Sequence, residues 1–398
     1  MTKRYHLAQN VKSLSETLGP PHLGIVARER GKAPEKPAAN GGGEEQATTK
    51  VAGLDAIRFV LAAWVMIGHV GQLPYAETIP REPLIWLLVR GVYNNLINGP
   101  AAVIVFFVIS GFCIHFPYRN DTRVDLLPYF ARRHIRILLP VLAAVILAKA
   151  QGVRLEYFAK WILWSLVCEE IYYTIYPILL RLRHRFGWPK MIAGAFALAL
   201  LVAATKPGAG NYPSYGWQLN WLLGLPCWLL GCHLAQSWET TKRLPRPERA
   251  FAPSRVWFWR VVALLASTLC SMLRFHSPLT YPWTLNFFAL LTYSWLGSEM
   301  LFALRRRPWK IAEWAGSMSY SIYLVHVICL DWLASQTSLS RAVTGEWLAL
   351  IAATLLMCMV FYYLVERPSH RLARATYAFL VGRRRLSVPS GSEIPVRN

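Results

Sequence analysis

The chain has 398 residues, 55% of them hydrophobic and only 16% charged, with a mean hydropathy of +0.30. That balance belongs to polytopic membrane proteins and excludes a soluble enzyme. A formal charge of +22 would suggest nucleic acid for a soluble protein. In a membrane protein the placement of Lys and Arg matters more than their sum, so no nucleic-acid partner is expected.

Residues 1–50 are polar and rich in Pro, Gly, Ala and Glu, and MTKRYHLAQN carries no apolar core of a secretory signal. They read as a disordered cytoplasmic tail. The stretch Leu54 to Gly71, LDAIRFVLAAWVMIGHVG, is long and apolar enough to cross a bilayer, yet it contains Arg58 and His69. Eleven helical positions return to within about 20° of the same face and span roughly 16 Å, so one face offers a cation near one end and a titratable base deeper in. Ionisable groups inside a span are costly and mark a functional site by default. The plain alternative is an arginine that snorkels and a histidine bonded to a neighbouring helix.

Residues 73–97, with Pro74, Pro80 and Pro83, read as an exposed loop with an interfacial stretch, LIWLLV. Further spans are expected at about 98–116, 132–150, 161–180, 190–205, 217–236, 256–275, 283–304, 312–334 and 346–365, ten in all. The connections assigned to the cytoplasmic side hold 34 of the 43 Lys and Arg, the opposite ones eight, and Arg58 is the remaining one. The positive-inside rule then places both termini in the cytoplasm. The fold class is therefore all-α and polytopic, with a transmembrane domain over 51–371 and a basic cytoplasmic tail over 372–398. Tryptophans near span ends, such as Trp161, Trp188, Trp217, Trp283 and Trp309, read as interfacial anchors to membrane lipid.

The seven cysteines fall almost entirely within apolar segments, without a CxxC pair or Cys/His metal spacing; they read as small packing residues, and no metal is expected. The remaining polar groups form two layers. Arg58, Arg132, Arg133 and Arg136 gather at the inner face, where Arg132 and Arg136, four apart, can act together. His69, Glu169, Glu170 and His326 lie from the midplane outward. Clustered arginines suit phosphate, and a buried histidine beside a carboxylate suits general-base chemistry. Adjacent glutamates point about 100° apart, so at most one faces the histidine. A phosphorylated donor held from the cytoplasm, with its reactive end reaching His69, is the combined expectation.

These residues fall in motifs. Arg58 and His69 form R-x10-H, followed by FFVISGF at 106–112 with Ser110, RRHIRILLP at 132–140, WSLVCEE at 164–170 with Ser165, GSMSYSIYLVH at 316–326 with Tyr320 and His326, and VERP at 365–368. In this order, on ten spans, the chain resembles the acyltransferase 3 family of integral membrane acyltransferases, over roughly Leu54 to Arg371. The resemblance implies transfer of an acyl group, commonly acetyl, from cytoplasmic acyl-CoA to a hydroxyl of a carbohydrate or lipid-linked glycan in a bacterial inner membrane. It makes His69 the base or acyl relay and Arg58, Arg132, Arg133 and Arg136 donor-binding residues, with a motif glutamate, Glu170 ahead of Glu169, as support. The interval between RRHIRILLP and WSLVCEE is short for the family.

Two other readings compete. A transporter or flippase would use His69, Glu170 and His326 as a proton relay, although no internal repeat of the transporter kind is visible. Within the enzyme class, a succinyl or longer acyl donor is open. Nothing in the sequence reports oligomeric state.

Overall fold

In the computed structural model the described residues are 51–71, 84–243, 252–341 and 343–387. The tail at 1–50, read above as disordered, lies outside them, as do 388–398. Among the described residues the chain is helical nearly throughout and has no strand.

Helix α1, Leu54–Val70, begins after Gly53 in the left-handed region (φ 91°) and stops at Gly71 (φ 116°). Its first backbone N–H groups are satisfied from afar: Gly53 and Ala56 donate to the Glu313 carboxylate at 2.9 and 3.3 Å. A carboxylate there also complements the positive end of the helix. Leu61, Ala62, Val65 and Met66 are buried along one side. Residues 84–96, expected as loop, instead form helix α2, Leu84–Leu96. Its apolar residues Leu84, Ile85, Leu88 and Val92 are exposed, so the interfacial stretch takes helical form.

Helix α3, Gly99–His115, is capped by the Asn98 side chain and is buried over most of its length. It is the central post, and glycines let a second helix meet it. Helix α7, Gly216–Lys242, crosses α3 where a Cβ on Gly231 would stand 1.9 Å from the Val108 carbonyl oxygen, and one on Gly111 2.0 Å from that of Trp228. Small residues at both crossing points are what close backbone approach requires.

Helix α4, Leu126–Ala150, starts before the expected Arg132, so its arginines stand in the second and third turns. A short helix α5, Leu155–Phe158, runs through a π-helical turn, Ala159–Leu163, into α6, Trp164–Thr205. The connection expected at 181–190 is itself helical. The chain breaks only at Gly187 (φ 73°, ψ 155°), in the positive-φ region that glycine enters without steric cost.

Helices α8, Pro253–His276, and α9, Tyr281–Arg305, pack together. Helix α10, Lys310–Gly316, bends by 67° into α11, Ser319–Gln336. Both pack on α1; a Cβ on Gly316 would meet the Asp55 carbonyl oxygen at 1.9 Å. Helix α12, Thr344–Phe361, leads through a second π turn, Tyr362–Glu366, into α13, Arg367–Ser387. Residues 372–387 of the basic tail are helical, as part of α13, which packs along α4.

Helices lie over all ten apolar stretches of the sequence. Five helical stretches, 88–118, 159–205, 253–276, 281–305 and 344–383, are long and apolar enough to cross a membrane, or six if the bent α10–α11 pair is one span. The others are shorter or more polar: α1 has 17 residues, and α4 carries Arg132, Arg133, Arg136 and Lys149. Large apolar side chains face outward on the rim, including Phe258, Leu265 and Leu269 on α8 and Leu348, Leu356 and Val360 on α12. Contiguous exposed apolar surface of this kind suits contact with lipid.

Candidate active site

The end of α1 brings His69 against α11, where His326 is fully buried. The Nδ1 atom of His326 lies 2.8 Å from the Ile322 carbonyl oxygen and 2.9 Å from that of Tyr323. Carbonyls only accept, so His326 carries its proton on Nδ1 and presents a lone pair at Nε2. That Nε2 is 3.1 Å from Nδ1 of His69, which is also 2.9 Å from the Val65 carbonyl oxygen. His69 therefore donates from Nδ1, and its Nε2 is the ring nitrogen left with a lone pair. Two backbone carbonyls set the His326 tautomer, and the Val65 carbonyl with His326 sets that of His69, which leaves Nε2 of His69 as its basic nitrogen.

The carboxylate expected beside His69 is not there. Glu169 accepts from Ser110 Oγ at 2.6 Å and from the Tyr173 hydroxyl, and Trp228 Nε1 donates to the same Ser110 oxygen at 3.2 Å. Glu170, favoured from the sequence, pairs instead with His134 Nδ1 at 2.7 Å. The 100° between neighbouring positions sends the two glutamates to different partners, and a histidine takes the place of either one.

A cavity of about 990 Å³, counting its open mouth, lies between α1, α3, α4, α6 and α11. Arg58, Arg133 and Arg136 line it together with Ser110, Glu169 and Tyr320. Arg132 is not among its walls. The expected Arg132–Arg136 pairing gives way to Arg133 with Arg136, because α13 packs on the other face of α4 and sets the Tyr377 ring 5.2 Å from the Arg132 guanidinium. Arg136 donates from Nε to His370 Nε2 at 3.1 Å, and Arg58 is 3.6 Å from Asp55. Tyr320 donates to the Ile137 carbonyl at 3.2 Å, tying α11 to α4.

The VERP glutamate, Glu366, is buried and accepts from Ser321 N and Oγ at 3.0 and 2.5 Å. Its other oxygen is 3.6 Å from His370 Nε2. The second π turn thus braces α11 against the helix that holds Arg136.

A second cavity, about 680 Å³, lies farther along α1 and α3. Lys160, Trp161, Trp164, Asn211, Tyr212 and Ser214 form its polar and aromatic wall. Trp161, on the first π turn, meets the His69 ring edge-on at 6.2 Å between centroids. Val103 and Tyr323 line both cavities, and the Tyr323 hydroxyl is held 2.6 Å from Ser165 Oγ. The three arginines therefore line the first chamber, while His69 lines neither and meets the second through the Trp161 ring.

A family model described as an acyltransferase domain, acyltransferase 3, matches residues 51–363. The chain belongs to the acyltransferase 3 family. It is accordingly a membrane acyltransferase in the general sense. No curated protein and no solved structure matches it.

In this acyltransferase 3 chain, His69, His326, Arg58, Arg133, Arg136, Glu169, Ser110, Ser165 and Tyr320 fall on or beside the two chambers, and Arg132 and Glu170 turn away. Tyr173, Tyr323, Trp161 and Glu366 escaped the sequence reading. Tyr323 and Glu366 sit inside quoted motifs, at the turn before His326 and in VERP, so their signal was present. Trp161 read as a membrane anchor, and the structure adds its ring contact with His69; it sits in a π turn, and such turns are frequent at functional sites.

Proposed function

We propose that the chain moves an acyl group, most simply acetyl, from cytoplasmic acyl-CoA to a hydroxyl of a carbohydrate or lipid-linked glycan, at or across a bacterial inner membrane. The proposed topology has ten crossings with both termini cytoplasmic, which agrees with the uneven placement of Lys and Arg. The observation that carries the reading is the pair of chambers sharing Val103 and Tyr323, one lined by three arginines and the other beside His69.

The residues present suit the donor. Three guanidinium groups, Arg58, Arg133 and Arg136, match the 3′-phosphate and pyrophosphate of CoA, while Val103, Phe106, Phe107 and Ile109 offer apolar wall to the pantetheine arm. The Glu169 carboxylate, an anion in the same chamber, is held in hydrogen bonds from Ser110 and Tyr173. Along a continuous α1, Arg58 and His69 are roughly 16 Å apart, a span of the order of that arm.

A thioester is already activated. The acceptor hydroxyl gives its proton to Nε2 of His69, its oxygen bonds to the acyl carbon, and the carbon–sulfur bond breaks to release CoA thiolate, which recovers the proton. An acyl-histidine relay uses the same nitrogen as nucleophile. Either route is supported by His326, which accepts from the far side of the ring as charge develops.

Mass spectrometry of surface glycans tests this, comparing cells with the chain, without it and with His69→Ala. The expected result is loss of one acetyl mass from a glycan in both the deletion and the variant, with the variant protein still in the membrane. Unchanged glycans with a precursor accumulating on one side of the membrane would overturn the reading in favour of transport.

A further inference from the structure

From the second cavity we infer that the acceptor is a carbohydrate bearing a negative charge, a carboxylate or a phosphate, bound between Lys160 and the Trp161/Trp164/Tyr212 wall. This rests on the acyl-acceptor reading above and adds the chemical class of the acceptor.

The distribution of cations carries the inference. In the proposed topology the outward connections hold only eight Lys and Arg, as the positive-inside rule demands. One of the eight lies in this cavity and two more hold the loop beside it. Lys160 lines the cavity. Lys206 donates to the Ser214 carbonyl at 3.2 Å, and Arg274 donates to the Gly210 carbonyl at 3.1 Å, so both brace the loop that supplies Asn211 and Ser214. None of the three has an ion-pair partner among the described residues. A cation in the cavity wall, with two more on the loop beside it, favours an anion there.

The rest of the wall suits a sugar. Trp161 is 42% exposed, with the Lys160 ammonium 5.9 Å over its ring, which sets an aromatic surface for the apolar face of a pyranose beside the cation. Trp164 and Tyr212 stand 5.9 Å apart between centroids, and the Tyr212 hydroxyl is fixed to Asn286 at 3.0 Å. The Asn211 Oδ1 atom is buried without a hydrogen-bond partner, an acceptor suited to a sugar hydroxyl, since such an atom is costly left unmet. A ring seated on Trp161 lies next to the indole that touches His69, which brings its hydroxyls toward the base.

Saturation-transfer NMR on the full chain in lipid nanodiscs tests this, with four probes, glucuronate, glucose 1-phosphate, glucose and inorganic phosphate, and with CoA as a separate arm. At least one of the two anionic sugars should bind about tenfold more tightly than glucose, and Lys160→Gln should remove that advantage, since a hydrogen bond to a charged group is worth roughly this much. Which anionic sugar responds separates carboxylate from phosphate. Equal binding of glucose, an anionic preference unchanged in Lys160→Gln (a lysine that only reaches for the interface), or inorganic phosphate competing as well as the sugars would each overturn the inference. CoA binding lost in Arg133→Gln and kept in Lys160→Gln supports the donor reading independently. Sugar selectivity without any CoA response would overturn the acyl-CoA reading and leave the anionic-sugar site standing.

Discussion

Replacing His326 separates a histidine that orients His69 from one that merely packs. His326 makes one hydrogen bond to His69, Nε2 to Nδ1 at 3.1 Å, while the Val65 carbonyl holds the same Nδ1 at 2.9 Å. In His326→Leu the Val65 contact still keeps the tautomer, so ground-state geometry survives. What is lost is the acceptor facing the imidazolium that forms as His69 takes the proton. A hydrogen bond to a charged group contributes about 1.5–3 kcal/mol, so kcat should fall about 10- to 150-fold with the donor KM little changed. His326→Gln restores an oxygen acceptor and should recover most of the rate. The assay is incorporation of label from radiolabelled acetyl-CoA into glycan of membranes holding matched amounts of each variant. Full activity in His326→Leu, or a Gln variant no better than Leu, would refute the orienting role.

The donor chamber makes further demands. Arg58→Ala should raise the apparent KM for acyl-CoA far more than that for acceptor, and equal effects on both would remove Arg58 from the donor site. Cys113 lines the same chamber and is exposed, whereas the other six cysteines are buried. Maleimide labelling should therefore modify Cys113 first and be slowed by saturating CoA; labelling indifferent to CoA would place the donor elsewhere. At the α3–α7 crossing, Gly231→Ala pushes a methyl to 1.9 Å from the Val108 carbonyl oxygen and should destabilise the fold by about 1–3 kcal/mol or more. A thermal melt in detergent reads that as a lower Tm, and an unchanged Tm would mean the two helices part easily.

Much of this site was legible in the sequence because it is built from charges that apolar segments tolerate only for a purpose. Arg58, Arg133, Arg136 and His69 could be found that way, and the one-face geometry of R-x10-H survives in a straight α1. Helix rotation was harder. Arg132 and Arg136 share a side by spacing alone, yet α13 supplies Tyr377 to Arg132 and leaves Arg133 facing the chamber. The same holds for Glu169 and Glu170, whose partners, Ser110 and His134, belong to helices distant in sequence. His326 was grouped with His69, but only the packing of α11 on α1 makes it the partner of that ring. The C-terminal helix was lost to composition, since arginines read as a tail until α4 is there to receive them.

The thin partition at Val103 and Tyr323 also has an electrical meaning. If the two chambers open to opposite sides of the membrane, most of the membrane voltage drops across this layer instead of across about 30 Å of hydrocarbon. The local field is then several times that in the surrounding lipid. An acetyl group is neutral and crosses without electrical work, whereas a full charge crossing the layer exchanges about 2.3 kcal/mol with each 100 mV. Whether the proton taken up by His69 leaves toward the acceptor side or returns to CoA thiolate on the cytoplasmic side therefore decides whether glycan acylation is coupled to the membrane potential.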